Sequence, residues 1–293
     1  MAGTSAPAVR RHGRALRKDL YLGRIAVYVL LMAAGVAFLF PFYTMFVGSF
    51  MVREQLFSFT PNLWPNPFIL TNYVDLFNTM PFHRYLGNSI LLATGQTAGV
   101  LFFCSLVGFT MAKRRFPGRD LLFLILLITM MIPRQATLIP WYLLMAKLGW
   151  LNTFLPMWVP WWAPAWGVFL MRQYIVSTVP DELIEAATVD GASLFGIYWR
   201  VALPIVTPGL IILGVINFFH AWNDFLYSLL VFANEMSRTA PLALALFLGS
   251  EVNSPRYTVM FAGSVLATVP LLVLFFVFQK RLIEGISAGA IKG

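Results

Sequence analysis

Long runs without a charged residue constrain this chain more than any other feature of its sequence. Residues 25–50 and residues 257–279 contain no Asp, Glu, Lys or Arg. An apolar helix needs about 20 residues to cross the hydrocarbon core of a bilayer, so both runs are long enough. Hydrophobic residues make up 59% of the 293 residues and charged residues only 11%, which excludes a soluble globular domain. The sequence therefore predicts a polytopic membrane protein.

We predict an all-α fold with six transmembrane helices and both termini in the cytoplasm. The spans are placed at residues 25–50, within 85–112, from 121 toward 151, at about 151–171, at about 208–232 and at 257–279. Most of the 21 Lys and Arg residues fall in the segments that this arrangement leaves inside. The net charge of +9 is then explained by orientation, and no nucleic acid partner is expected.

The spans divide the chain into three parts. Residues 1–24 are predicted to form a basic cytoplasmic tail that contacts membrane lipid, because anionic headgroups attract Lys and Arg. Residues 25–280 form the transmembrane domain, with a cytoplasmic loop at 172–207. Residues 281–293 form a cytoplasmic C-terminal tail, whose glycines and small residues suit an extended segment or a frayed terminus.

Residues 179–204 form the longest polar interlude between two apolar segments, and they predict two short helices with a hinge. The signals are Pro180, Asp181 and Glu182 at the first start, Asp190-Gly191 at its stop, Ser193 as the second cap, and Leu203-Pro204 at the second end. The small pair Ala186-Ala187 lets another surface approach the first helix closely, and Glu185 adds a charge beside it. Two interpretations stay open: a peg for a socket on another protein, or a loop helix lying on the membrane.

This interlude resembles the EAA loop of ABC importer permeases. The family pattern is Glu-Ala-Ala, three residues, Gly, nine residues, Ile, one residue and Leu-Pro. Here the matching residues are Glu185, Ala186, Ala187, Asp190, Gly191, Leu203 and Pro204, with Val201 in place of the Ile. The resemblance implies the type I permease fold and a helix that couples to a separate ATP-hydrolysing subunit.

Further segments resemble permeases of the carbohydrate-uptake class, the class of the smaller membrane subunit of the maltose transporter. They are Met131–Pro133, Leu138–Pro140, Phe218–Leu226 and Gly285–Gly293. The resemblance implies a second permease subunit, two ATP-binding subunits, an extracellular solute-binding protein and a small-molecule solute such as a sugar or glycerol phosphate. It also implies that the tail contacts the ATPase through Ser287, Ala288, Gly289, Lys292 and Gly293.

The predicted fourth span combines prolines and tryptophans at helical spacing. Pro156, Pro160 and Pro164 recur every four residues and are therefore predicted to share one helical face. Trp158, Trp162 and Trp166 also recur every four residues. One interpretation is an aromatic wall beside a translocation path, able to stack on sugar rings. The other, which we favour, is an interfacial tryptophan belt combined with helix packing.

The predicted fifth span carries polar residues that are costly inside a membrane. Asn217, His220 and Asp224 are spaced by three and four residues and so share one helical stripe, with Asn223 beside them. They predict either a lining of the translocation path or a polar contact that joins this helix to another.

Enzymatic chemistry has little support in the sequence. No Gly-Lys pair of a phosphate-binding loop occurs, and the three histidines lie far apart. The single cysteine, Cys104, permits neither an internal disulfide nor a metal cluster based on cysteine. We expect a transport subunit that is not an enzyme and has no cofactor. A self-sufficient carrier that uses Asp224 for proton coupling is a weaker alternative, because no second intramembrane acid accompanies it.

Overall fold

The computed structural model describes residues 12–250 and 256–290, with side chains described for 24–249 and 256–281. The described residues form helices, turns and loops without a β-strand, which confirms the all-helical class. The helices, numbered in chain order, are α1 His12–Gly48, α2 Arg53–Leu56, α3 Thr71–Thr79, α4 Phe82–Lys113, α5 Arg119–Met130, α6 Leu138–Lys147, α7 Leu155–Trp158, α8 Ala165–Thr178, α9 Asp181–Val189, α10 Leu194–Ile197, α11 Leu203–Ile205, α12 Thr207–Trp222, α13 Leu226–Val231, α14 Ala240–Ser250 and α15 Tyr257–Ala290.

Several of these helices are able to cross a membrane. Within the described residues, Arg24–Gly48, Phe82–Lys113 and Tyr257–Arg281 each have sufficient length and apolar character. Two further candidates are bent pairs. Arg119–Met130 meets Arg134–Lys147 at 95°, and Leu194–Ile205 meets Thr207–Trp222 at 81°, so the number rises to five if each pair forms one span.

The fourth predicted span is not one continuous helix, so the expected single face of prolines is wrong. Pro156 lies in the first turn of α7, Pro160 starts a short 3-10 turn at Val159–Trp161, and Pro164 is the N-cap of α8. Proline suits a first helical turn because its missing N–H would have no intrahelical partner there. In a helix interior it would remove a hydrogen bond. The three prolines, spaced by four residues, therefore lie at the starts of three successive short helical segments.

Helix α4 is the element around which the core is built. At one end Phe82 and Tyr85 pack with α3, α14 and α15. In the middle, Leu92 packs with α7, α12 and α13. At the other end Cys104 and Phe109 pack with α8 and with the chain that follows α9. All five side chains are almost completely buried.

Glycines in α4 bring the tryptophans close to its backbone. A methyl group at Gly99 would overlap the Trp162 ring, and Trp162 also stacks on Phe103 with centroids 5.6 Å apart. Trp158 lies against Gly95, and its Nε1 donates to the Leu92 carbonyl at 3.0 Å. Helix packing of this kind agrees with the interpretation that we favoured for these tryptophans.

Helix α1 packs against α15 and leaves most of its apolar surface open. Tyr28, Met32, Phe38 and Leu39 are each more than half exposed in the isolated chain. In water such a surface would be strongly unfavourable, whereas it suits contact with lipid or with another membrane subunit.

Candidate functional site

The cytoplasmic loop predicted at 172–207 has the local structure that its turn signals indicated. Helix α9 ends at Val189, and Gly191 has a φ of +77°, a conformation that glycine adopts without steric cost. The Ser193 side chain accepts a hydrogen bond from the Gly196 N–H at 3.1 Å, which confirms the predicted cap of the second helix.

The end of the second helix differs slightly from the prediction near Leu203. After α10 the chain forms a π-helical turn over Tyr198–Ala202 and then α11, so it continues through Pro204 to Ile205. The bend of 81° follows at Val206. Proline lies in the first turn of α11, where its missing N–H is tolerated.

Helix α9 projects from the molecule, and none of its residues is buried. Glu185 and Ala186 are exposed, and Val189 is 88% exposed. Beyond the turn, the exposed rings of Phe195 and Trp199 stack at a centroid distance of 6.1 Å. This surface combines small side chains, large apolar side chains and exposed charges, as an interaction surface does.

The opposite side of α9 rests on the core of its own chain. Ile184 and Ala187 pack against the buried cluster that contains Val179 and Ile197. Of the predicted small pair, Ala186 is therefore available to a partner, while Ala187 is half-buried and holds the helix to the protein.

Lys113 ties α9 to α4, which the sequence did not reveal. Its Nζ donates to the Val179 carbonyl at 2.7 Å and to Asp181 Oδ1 at 2.5 Å. The Lys113 side chain is only 6% exposed, whereas Asp181 is 75% exposed. The hydrogen bond from Lys113, and then its charge, lower the pKa of Asp181 below its ordinary value. The only available signal was the position of Lys113 at the end of an apolar span, which we interpreted as an orientation charge.

A second tie joins α4 to the chain beyond the hinge. The buried hydroxyl groups of Ser105 and Tyr198 lie 2.8 Å apart in a hydrogen bond. Leu203 packs against the same core, while Pro204 is exposed. The loop is thus attached to α4 both before α9 and after α10.

Three interruptions of the helices lie near one cavity with polar and aromatic lining residues, which we call the break cavity. The chain breaks between α5 and α6, between α7 and α8, and between α12 and α13. The cavity has a volume of about 470 Å³ and is lined by Arg134, Gln135, Phe219, His220, Asn223, Asp224, Phe225, Leu226 and Tyr227. At membrane depth, irregular backbone is tolerated only where protein buries it or where it lines an aqueous cavity.

Aromatic rings hold Arg134 in this cavity. Its guanidinium carbon lies 3.9 Å from the centre of the Trp161 ring and 4.8 Å from that of Tyr227. The Tyr227 hydroxyl donates to the Arg134 carbonyl at 2.9 Å. Trp161 and Tyr227 were absent from the predicted site because the contact joins distant parts of the chain.

Asp224 has two roles in the break cavity. Its Oδ1 accepts hydrogen bonds from the N–H groups of Tyr227 at 3.1 Å and Ser228 at 3.4 Å, and so caps α13. Its Oδ2 lies 3.8 Å from Arg134 Nη2. The Asp224 side chain is 13% exposed and that of Arg134 is 45% exposed, so this ion pair borders the open space.

The remaining residues of the predicted path separate into two groups. His220 and Asn223 are exposed and line the break cavity together with Asp224. Asn217 is buried, and its Nδ2 donates to Thr97 Oγ1 on α4 at 3.0 Å. Asn217 thus makes the helix-to-helix contact that was the alternative for this stripe.

The C-terminal tail is only partly described. The backbone of α15 continues to Ala290, so Ser287, Ala288 and Gly289 are helical and the expected extended conformation is wrong for them. Lys292 and Gly293 lie outside the described residues.

These features define a polytopic membrane protein with a projecting helical segment between two apolar parts of the chain, and comparison with known proteins identifies the family. Residues 104–287 match the family model described as "Binding-protein-dependent transport system inner membrane component". The chain belongs to this family, which confirms the resemblance to ABC importer permeases and the multi-pass location in the inner membrane.

Similar proteins include the trehalose/maltose transport system permease protein MalG of Thermococcus litoralis, which is 33% identical over 94% of this chain and 99% of that protein. The arabinooligosaccharides transport system permease protein AraQ of Bacillus subtilis is 30% identical over 92% of this chain and 96% of its own length. The sn-glycerol-3-phosphate transport system permease protein UgpE of Yersinia enterocolitica is 28% identical over 89% of this chain and 95% of that protein.

A solved structure confirms the fold. A chain from the crystal structure of a bacterial ABC transporter involved in the import of the acidic polysaccharide alginate has a TM-score of 0.80 to this chain. The sequence identity is 23%, and the match covers 94% of this chain and 99% of the other.

Proposed function

We propose that this chain is one of two permease subunits in an ATP-driven importer of a sugar or related solute. A second permease completes the path, two ATP-binding subunits hydrolyse ATP, and an extracellular binding protein delivers the solute. Support for the binding protein comes from a similar transporter structure, TM-score 0.64, that contains a periplasmic protein bound to alginate pentasaccharide. ATP hydrolysis is assigned to the partner subunits, and this chain transmits the movement.

The projecting helix α9 carries this proposal. Its outer surface is open around Ala186, while Lys113 fixes its start and Ala187 fixes its underside. A helix held in this way transmits displacement because it cannot yield independently of α4. We assign ATPase coupling to Glu185, Ala186, Ala187, Asp190, Gly191, Leu203 and Pro204.

The proposed topology retains six spans with both termini in the cytoplasm. Helices α1, α4 and α15 supply three of these spans. The bent pair α5–α6, the interrupted segment α7–α8, and α12 with α13 supply the other three. This topology places the boundaries of the transmembrane domain at 24/25 and 280/281, and it places the coupling loop at 172–207. The tail residues Ser287 to Gly293 are proposed to contact the ATPase.

A sugar is the proposed solute because the names of two relatives refer to trehalose/maltose and to arabinooligosaccharides. Glycerol phosphate is the second candidate, from the name of the third relative. Arg134 in the break cavity is the observation behind this second candidate, and Asp224 beside it compensates its charge. Within the proposed path, Asn217, Trp158 and Trp162 position helices, while His220, Asn223 and Asp224 border the space itself.

Cross-linking tests the coupling role directly. Cys104, the single cysteine, is buried, so an Ala186→Cys variant presents one reactive thiol. In native membranes we expect this thiol to cross-link to the ATP-binding subunit. Leu63→Cys, which is also exposed but lies in the predicted outer loop, is the control and should give no such product. If Ala186→Cys never captures the ATP-binding subunit, the coupling assignment fails.

Substitution of Gly191 tests the hinge. Proline fixes φ near −65° and cannot adopt the observed +77°, so Gly191→Pro should abolish ATP-driven uptake while the chain still inserts. Asn tolerates positive φ better than most residues, so Gly191→Asn should retain most of the uptake. Reversal of the exposed charge by Glu185→Lys should also abolish uptake. Normal uptake by Gly191→Pro would contradict the proposal.

A further inference from the structure

We propose that the break cavity binds a neutral polyhydroxylated solute, a sugar unit, and that the Arg134–Asp224 pair selects against anionic solutes. This inference rests on the proposed function and names the substrate class for this chain's own part of the path. It also means that this subunit contacts the solute directly through residues on α12 and at two helix interruptions.

The first support is the architecture of the cavity. Its volume of about 470 Å³ lies within the range of roughly 300–1,000 Å³ that is typical of small-molecule sites. Interrupted helices are where transporters commonly place their solute sites, because the free backbone groups and half-helix ends face the path. Here the interruptions between α5 and α6 and between α12 and α13 line the cavity, and Trp161, from the interruption between α7 and α8, lies against Arg134.

The second support is the mixture of hydrogen-bonding groups. Arg134 supplies only donors, Asp224 only acceptors, and Asn223 supplies both. A sugar hydroxyl both donates and accepts, so it can use every one of these groups. A phosphate or carboxylate only accepts, and the Asp224 side of the cavity offers it nothing. Phe219, Phe225 and Tyr227 add the apolar surface that sugar rings require.

The third support is the charge balance. Asp224 Oδ2 lies 3.8 Å from the Arg134 guanidinium, so an anion brought to Arg134 would also lie close to a carboxylate. The attraction and the repulsion are then of similar size. Trp161 and Tyr227 lie on adjacent sides of the guanidinium and cover part of its surface. Arg134 is thus a positioned donor whose charge is compensated.

The Asp224→Asn variant removes the negative charge of this side chain but keeps the oxygen that accepts hydrogen bonds from α13. Asn is as good an N-cap as Asp, so its side-chain oxygen can still accept from the Tyr227 N–H and hold α13. The variant leaves Arg134 without its counter-charge. Arg134→Gln has the opposite effect, and the double variant removes both charges and restores neutrality. A control variant, Asp120→Asn, makes the same chemical change in an exposed ion pair with Arg119 outside the cavity.

The measurement is solute binding to the assembled complex with its partner subunits, held with a non-hydrolysable ATP analogue and without the binding protein. Equilibrium dialysis compares two probes, maltotriose and the same trisaccharide oxidised to a uronate at one terminal C6. We expect the natural complex and Asp120→Asn to prefer maltotriose. Asp224→Asn should shift the ratio of the two affinities by roughly tenfold or more toward the uronate. The double variant should return the ratio close to its original value.

Three results would overturn the inference: a natural complex that prefers the uronate, a ratio that Asp224→Asn leaves unchanged, or no detectable binding of either probe. Thermal unfolding of each complex shows whether a variant has lost its structure, and Asp224→Glu then provides a second test, since it keeps the charge and should keep the preference. ATP-driven uptake by the natural complex tests the proposed function separately. Uptake without the expected shift in ratio would refute only the present inference.

Discussion

At the scale of single residues, Lys113 has the largest consequences for the structure, and the charge pattern of the sequence reveals only one of its two roles. Lys113 marks the end of an apolar run that we predict to be cytoplasmic, and that role is sufficient to explain a basic residue there. The structure gives it a second role, because its ammonium group binds both the chain before α9 and the first acid of α9. The residues concerned, 113 and 179–181, are far apart in sequence, so no local pattern links them.

Replacement of Lys113 should loosen the coupling helix. Lys113→Met keeps the apolar stem and removes both hydrogen bonds, and we expect a local loss of about 1–2 kcal/mol. Most of it comes from the Val179 carbonyl, since the exposed Asp181 regains water. Hydrogen exchange in α9 should accelerate about tenfold, and uptake per ATP hydrolysed should fall. The exposed neighbour Arg114, replaced by Met, is the control, and equal exchange in both variants would contradict the role of Lys113.

The same contact has a defined pH dependence. The pKa of Asp181 is lowered in the folded protein, so its contribution is fully present above the ordinary pKa of about 4 and is lost as pH falls through the lowered value. Protection of α9 against exchange, corrected for intrinsic rates, should therefore be constant from pH 8 to pH 5. Asp181→Asn should show weaker protection throughout this range. A decrease between pH 7 and pH 5 would assign the contact to a different titrating group.

At the scale of helices, glycines decide how closely the segments approach α4. Gly99 and Gly87 belong to the same helix but have different surroundings: Trp162 lies directly on Gly99, whereas nothing lies within 4 Å of the position of a methyl group at Gly87. A comparison of substitutions at the two positions therefore distinguishes the effect of packing against α4 from the effect of intrinsic helix propensity.

Alanine at these two positions should have opposite effects. Gly99→Ala forces the Trp162 ring away and should destabilise the protein by about 1–3 kcal/mol, the usual cost of overpacking. Gly87→Ala should be neutral or stabilise it by up to about 1 kcal/mol, because alanine favours the helix. Unfolding of the detergent-solubilised protein measures both. If both variants are equally stable, the close contact of Trp162 with α4 is not maintained in solution.

The comparison of sequence with structure follows the same division between local and distant effects. The hinge was predictable because Gly191 and Ser193 act on their immediate neighbours. The fourth span was not, since prolines every four residues fit one helical face and also fit three successive helix starts. The break cavity depends on the convergence of Arg134, Trp161 and Tyr227, which no periodicity encodes.

At the scale of the whole molecule, the open apolar surface of α1 and the projecting α9 indicate opposite environments. The first suits hydrocarbon or a neighbouring membrane subunit, and the second suits water and a soluble partner. Both surfaces suit the proposed assembly with further subunits, and the family is described as one component of a transport system.

The proposed six-span topology predicts which side of the membrane each exposed loop occupies. An impermeant thiol reagent applied to intact cells should label Leu63→Cys, whereas Val189→Cys should react only after the membrane is opened. The buried Cys104 should remain unlabelled in both cases. Labelling of Val189→Cys in intact cells would reverse the orientation and remove α9 from the reach of cytoplasmic ATPases.

The bend of 81° at Val206 joins two helical arms of unequal length, Leu194–Ile205 and Thr207–Trp222, which would rotate together like a lever. Helix α12, the longer arm, has 16 residues and is therefore about 24 Å long. A rotation of about 10° around the bend would sweep its far end, where His220 and Asn223 lie, through about 4 Å. A small rotation of the segment Leu194–Ile205 would thus produce a displacement at the far end of α12 that is comparable with the width of a sugar ring.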